Sequence, residues 1–241
     1  MCWGRLAVLV SVGWFAACAP AADQQEPVAP APEQSPATQP VEGEWVDLLA
    51  GGLENWRATG NPEAFELADG VLHCKGEGGR LLYYVPEQFQ DFVFEGEVKL
   101  TPKANSGFFF RVADPQDEVQ TGFEIQVLDS YGKEAPDKHD FGALYDIAAP
   151  TVNAAKPAGE WNQVRVTADG PHIVVELNGQ TVVDVDLSQW KEAGRNPDGT
   201  PNKFKRPYAE MTHPGYLGIQ DHGDELWFRN LRVKRLHAAN P

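Results

Sequence analysis

The stretch HIVVELNGQTVVDVD, residues 172–186, sets two β-branched, alternating runs on either side of Asn178-Gly179. Asn-Gly readily takes the left-handed backbone that a two-residue hairpin turn requires, so this stretch is a hairpin before anything else is known. Eight more segments carry the same signature: VLHCKG, LLYYV, FVFEGEVKL, GFFFRV, GFEIQVLD, NQVRVTADG, YLGIQ and LWFRNLRVKRL. Each is short and bounded by Gly, Pro, Asn or Asp. A period of two repeated this often predicts an all-β fold, a two-sheet antiparallel sandwich or jelly roll. No amphipathic helix stands out; QFQD and SQWKEAG read as at most one helical turn each. Residues 191–214 read as a long polar loop without regular structure, of the kind that tends to be functional.

Strand parity assigns the polar residues. In GFEIQVLD, Phe123, Ile125 and Val127 share one face and Glu124 and Gln126 the other. In NSGFFFR, alternation places Arg111 with Gly107 and Phe109, opposite Phe108 and Phe110. In GYLGIQDHG, Gln220 and His222 oppose Leu217 and Ile219. Three strands therefore turn Arg, Glu-Gln and Gln-His to a non-core face, where Glu124 and His222 are expected to be partly exposed. Gly107, Gly122 and Gly218 stand beside these sets and permit close approach of a ligand or another backbone. The plainer reading is a solvated sheet face with Arg111 and Glu124 as a cross-strand ion pair.

The first residues read as an export signal. MCWGR is a short basic start and LAVLVSVGWF an apolar run too short to span a bilayer comfortably. Phe15-Ala16-Ala17-Cys18 resembles a bacterial lipobox, although Phe15 departs from its usual leucine. Residues 1–17 are then a lipoprotein-type signal peptide, and Cys18 is the lipidated first residue of the mature chain. Residues 18–43 are a Pro/Ala-rich linker that cannot bury enough apolar surface to fold, and 44–241 the β-sandwich domain. The expected location is the periplasm or outer membrane, with membrane contact only through the lipid anchor, or secretion if Cys18 is not acylated. Cys74 is left alone, which excludes an intramolecular disulfide and a cysteine-built metal site.

A formal charge of -15 argues against a nucleic-acid partner, which calls for a basic stripe. There is no phosphate-cradling glycine loop after a strand, no G-x-S-x-G elbow and no H-E-x-x-H. The six histidines are scattered, and His73, His172 and His237 read as surface positions.

Several segments in order carry a family likeness: NSGFFFR, GFEIQVLD, GALYD, KPAGEWNQVRV, LNGQ and GYLGIQDHGDELWFRNLRV, preceded by EWVDLLAGGLENWRA with Trp56. Over residues 44 to 236 this order resembles the 3-keto-disaccharide hydrolase domain family. The resemblance implies a concanavalin-like jelly roll with a concave-face site and a carbohydrate substrate whose glucosyl carbon 3 is a ketone. On that likeness His222 or Glu124 is the base, and Arg111 and Gln126 hold an oxyanion or sugar hydroxyls. Gln220, Asp129 and Tyr145 touch substrate, Tyr145 also as a proton donor. The likeness fixes no cofactor; a divalent metal polarising the ketone, held by Glu124 and His222, is a variant the sequence leaves open. Two other classes stay open as well: a lectin-like module in which Trp161 or Tyr208 stacks on a sugar, and a structural envelope domain.

Overall fold

The computed structural model describes Met1 and residues 43–237, so the signal segment beyond Met1, Cys18, and the linker up to residue 42 lie outside the described residues. Thirteen strands follow in order: β1 (Val46–Asp47), β2 (Trp56–Ala58), β3 (Phe65–Ala68), β4 (Val71–Cys74), β5 (Arg80–Tyr84), β6 (Phe92–Leu100), β7 (Asn105–Val112), β8 (Phe123–Leu128), β9 (Trp161–Asp169), β10 (His172–Leu177), β11 (Gln180–Asp186), β12 (Tyr216–Asp221) and β13 (Leu226–Arg235). One short helix, α1 (Glu118–Thr121), precedes β8. The back sheet runs β11-β10-β9-β6-β13-β4-β3 with β1 added on β13, and the front sheet runs β2-β5-β12-β7-β8. This is the expected two-sheet antiparallel sandwich. Asn178 and Gly179 both have positive φ, 52° and 79°, and Leu177 pairs with Gln180 across them, as the hairpin reading requires.

The two sheets meet through phenylalanines supplied by alternation. Phe94 on β6 meets Phe108 on β7 edge-on at 5.7 Å, and Phe108 meets Phe228 on β13 at 5.6 Å. Phe110 stacks on Phe123 at 5.3 Å and meets Phe92 at 6.0 Å. Each such ring removed from water contributes about 1.5–3 kcal/mol, which holds a domain whose one cysteine among the described residues, Cys74, is buried and free.

Two expectations about local structure are corrected. Residues 191–214 are not structureless: they carry a helical turn at Tyr208–Glu210 and bury Phe204, Tyr208 and Met211. The reason is Phe204 and Tyr208, whose rings meet at 4.6 Å and tie the segment to the core through Phe123. QFQD does not form a helical turn, because Phe89 bridges to Gly215. The single turn α1 went unpredicted; four residues are too few for a 3.6-residue period to show.

Candidate functional site

β12, β7 and β8 lie side by side in the front sheet. Gln126 is opposite Gly107 and Glu124 opposite Phe109, so Glu124 and Gln126 leave the core face while Phe123, Ile125 and Val127 fill it. On that outer face a cavity of about 130 Å³ is lined by Asn105, Glu124, Gln126, Tyr145, Lys203, Gln220 and His222, with Val119 at its edge. Five residues named from the sequence thus converge: Glu124, Gln126, Tyr145, Gln220 and His222.

Each is placed by its backbone. The N–H of Tyr145 donates to the carbonyl of Glu124 at 2.9 Å, and that of Gly142 to Gln126 at 2.9 Å, so residues 142–145 run beside β8. Gln126 Nε2 donates to Asn105 Oδ1 at 2.8 Å, orienting both amides. The Ser106 hydroxyl donates to the carbonyl of Gln220 at 2.6 Å. Asp221 is a structural neighbour: its carboxylate accepts from the N–H groups of Gly79 and Gly223, at 2.6 and 2.8 Å, and fixes the end of β12. His222 follows it onto the exposed rim.

Glu124 is the exception to the expected partial exposure, being only 8% exposed. Its side chain folds over Gly107, where a Cβ would stand 2.2 Å from Glu124 Oε1. Gly107 therefore makes room for the carboxyl itself. Gly122 and Gly218 do not open onto the site: added Cβ atoms there would strike Val112 and Leu81. No described residue hydrogen-bonds the Glu124 carboxyl. Loss of water pushes its pKa up to about 8, against the lowering charge of Lys203 and with a further raise from Glu118.

Arg111 does not belong to this face. Tyr216 pairs with Val112 and Gly218 with Phe109, so β7 carries an extra residue, and Arg111 sits in that bulge at φ 50°. Its side chain turns inward, fully buried, where Nε donates to the carbonyl of Gln90 at 2.8 Å and Nη2 to Asp91 at 3.2 Å. Val112 takes the outward place beside Phe109 and Leu81, and neither the Arg111–Glu124 ion pair nor an oxyanion role survives. Asp129 is also elsewhere, its carboxylate accepting from the N–H of Lys103 at 2.8 Å to close a turn. Neither stacking candidate is at the cavity. Trp161 lies on the back sheet under the Arg229 guanidinium at 4.0 Å, and Tyr208 is 1% exposed between Phe123 and Phe204.

Asn105 and Lys203 were missed. Asn105 shares parity with Gly107 and Phe109 and was within reach of the alternation argument. Lys203 had no signal of its own: residues 191–214 were marked as a functional kind of loop, but only the tertiary fold brings Lys203 to β8. For a metal the donors are thin: among the described residues no three His, Cys, Asp or Glu side chains gather, and the cavity offers Glu124 and His222.

A larger depression, of about 430 Å³, lies on the back sheet between Trp45, Glu95, Glu97 and Arg232. Its charges are already satisfied, Glu95 by Arg165 and Arg232, Glu97 by Arg229 and Asn230. The smaller cavity holds the unpaired carboxyl and is the candidate site.

Residues 44–234 match the family model of the 3-keto-alpha-glucoside-1,2-lyase-like domain. A curated relative from Bacteroides thetaiotaomicron named 3-keto-disaccharide hydrolase is 27% identical, over 82% of this chain and 80% of its own. Among solved structures, a protein from Parabacteroides distasonis ATCC 8503, provisionally named a glycosyl hydrolase, is 32% identical with a TM-score of 0.72, covering 80% of this chain and all of its own. A second from that organism, at 24% identity and a TM-score of 0.61, covers 76% of this chain and 89% of its own and repeats the fold.

Proposed function

The chain belongs to the 3-keto-alpha-glucoside-1,2-lyase-like domain family, and from that premise we propose that this sugar-processing hydrolase cleaves glycosides whose glucosyl unit carries a ketone at carbon 3, with Glu124 as the base. One observation carries the reading: a carboxyl withheld from water, at about pKa 8, on a rigid strand inside a cavity otherwise lined by amides, a phenol, an imidazole and the Lys203 ammonium, with Val119 at its edge.

The chemistry follows from the ketone. It acidifies the hydrogen on carbon 2, and the Glu124 carboxylate removes that proton while the electron pair moves onto the carbonyl oxygen as an enolate. Collapse of the enolate restores the ketone, forms the carbon 1–carbon 2 double bond and breaks the bond from carbon 1 to the leaving oxygen. That oxygen takes a proton from Tyr145 or His222. Water then adds its oxygen to carbon 1 and a proton to carbon 2, so the net change is hydrolysis and no oxidant is needed. Gln126, Gln220 and Asn105 hold sugar hydroxyls. A desolvated carboxylate near pKa 8 is a stronger base than a solvated one, and about a tenth of it is ionised at neutral pH. A binding module needs no such group, and the aromatic rings it would stack on lie elsewhere.

The test is turnover of a 3-keto glucoside beside its unoxidised parent, in heavy water. The ketone should be cleaved, the parent inert, and deuterium should appear at carbon 2. The rate should climb with pH and level off near 8, as Glu124 ionises. A fall above pH 8 would make Glu124 the acid, not the base. Cleavage of the plain glucoside without label at carbon 2 would leave a conventional paired-carboxylate route and end the reading.

A further inference from the structure

The enolate places a negative charge on the carbon 3 oxygen, and the displacement of Arg111 into the β7 bulge leaves the expected oxyanion partner unfilled. Lys203 is the one lysine or arginine lining the cavity. Its Nζ stands 3.9 Å from the ring centre of Tyr145 and 5.7 Å from that of Phe204, and among the described residues it makes no hydrogen bond or ion pair. The carboxylate that feels its charge in this cavity is Glu124, whose pKa it lowers. The three N–H donors of Lys203 remain available to a ligand.

The main chain around it is fixed. The Lys203 carbonyl accepts from Gln120 Nε2 at 3.3 Å, its N–H donates to Asp146 at 3.4 Å, and the Lys205 N–H donates to Gln120 Oε1 at 3.0 Å. Asp146 is itself held by Lys138 Nζ at 2.7 Å. Next along the chain, Phe204 is driven into the core against Tyr208, which packs on Phe123, the neighbour of Glu124. An exposed ammonium is thus carried on an anchored backbone, opposite the carboxyl on β8.

The geometry points to Lys203 as the catalytic cation that holds the enolate oxygen after Glu124 removes the carbon 2 proton. This rests on the keto-sugar reading. Lys203 stays protonated throughout: its N–H hydrogen-bonds the oxygen as the C=O bond becomes C–O⁻, and no proton is transferred. A preorganised donor of this kind contributes on the order of 10²–10³ in rate. The charged and titratable groups facing Glu124 are Lys203, Glu118 on α1, Tyr145 and His222.

A substrate analogue that enolises but has no leaving group isolates the step: 1-deoxy-3-keto-glucose in heavy water, followed by carbon 2 exchange. Wild type should exchange; Lys203→Met should lose about 10²–10³-fold in both exchange and cleavage, and Lys203→Arg should recover much of both. Removing the cation should also move the Glu124 limb of the pH profile upward, and Lys203→Arg should return it. Thermal melts should match wild type, because the side chain is exposed. If Lys203→Met exchanges at the wild-type rate, the cation does not hold the enolate and the inference is overturned, whatever happens to cleavage. If wild type neither exchanges nor cleaves a 3-keto glucoside, the keto-sugar reading itself fails first.

Discussion

Glu124 has its charge opposed twice, by lost water and by Glu118, and favoured only by Lys203. Its folded pKa of about 8 lies above the ordinary value of 4.5. Between those limits the folded chain binds the proton more tightly than the unfolded chain, so this group's contribution to stability falls as pH rises through that window. Below it the penalty is absent; above pH 8 it is fully present. Glu124→Gln should therefore match wild type in urea melts near pH 4.5 and exceed it by a few kcal/mol near pH 9, while turnover drops about 10²-fold or more. Equal stability at both pH values would mean that the carboxyl is solvated. Replacing a residue stabilises the protein here because the site keeps a group in the form that water would prefer to ionise.

At the scale of single elements, β7 decides two things by departing from plain alternation. Its extra residue at Arg111 turns a cation away from the site, and its Gly107 leaves the hollow that Glu124 fills. Gly107→Ala should act on the carboxyl more than on the sheet, since the crowded atoms at 2.2–2.8 Å belong to the movable side chain of Glu124. The expected outcome is a loss of about 1 kcal/mol in stability with a loss of about 10²-fold in turnover. A variant that keeps wild-type turnover would show that the carboxyl need not lie over Gly107. On β8 the plain period of two holds, so the placement of Glu124 and Gln126 was legible from GFEIQVLD. On β7 it was not, because a bulge shifts every later residue to the other face and NSGFFFR carries no mark of it.

Across the whole molecule, the site is completed by a segment 60 or more residues from β8 in sequence, residues 191–214, pinned to the core by Phe204 and Tyr208. Phe204→Ala should cost about 3 kcal/mol, open this segment to limited proteolysis and lower turnover by releasing Lys203. Turnover unchanged in a variant so destabilised would separate the segment from the chemistry. The all-β class, the Asn178-Gly179 hairpin, the core faces of β8 and β12, and four of the cavity residues (Glu124, Gln126, Gln220 and His222) were determined by the sequence alone, because alternation is a local property of a pleated chain; Tyr145 came only through the family resemblance. The fate of Arg111, the burial that raises Glu124, and the arrival of Lys203 were decided only by tertiary structure. A bulge, a desolvated pocket and a folded-back loop each depend on which distant surfaces come together, and no local period records that.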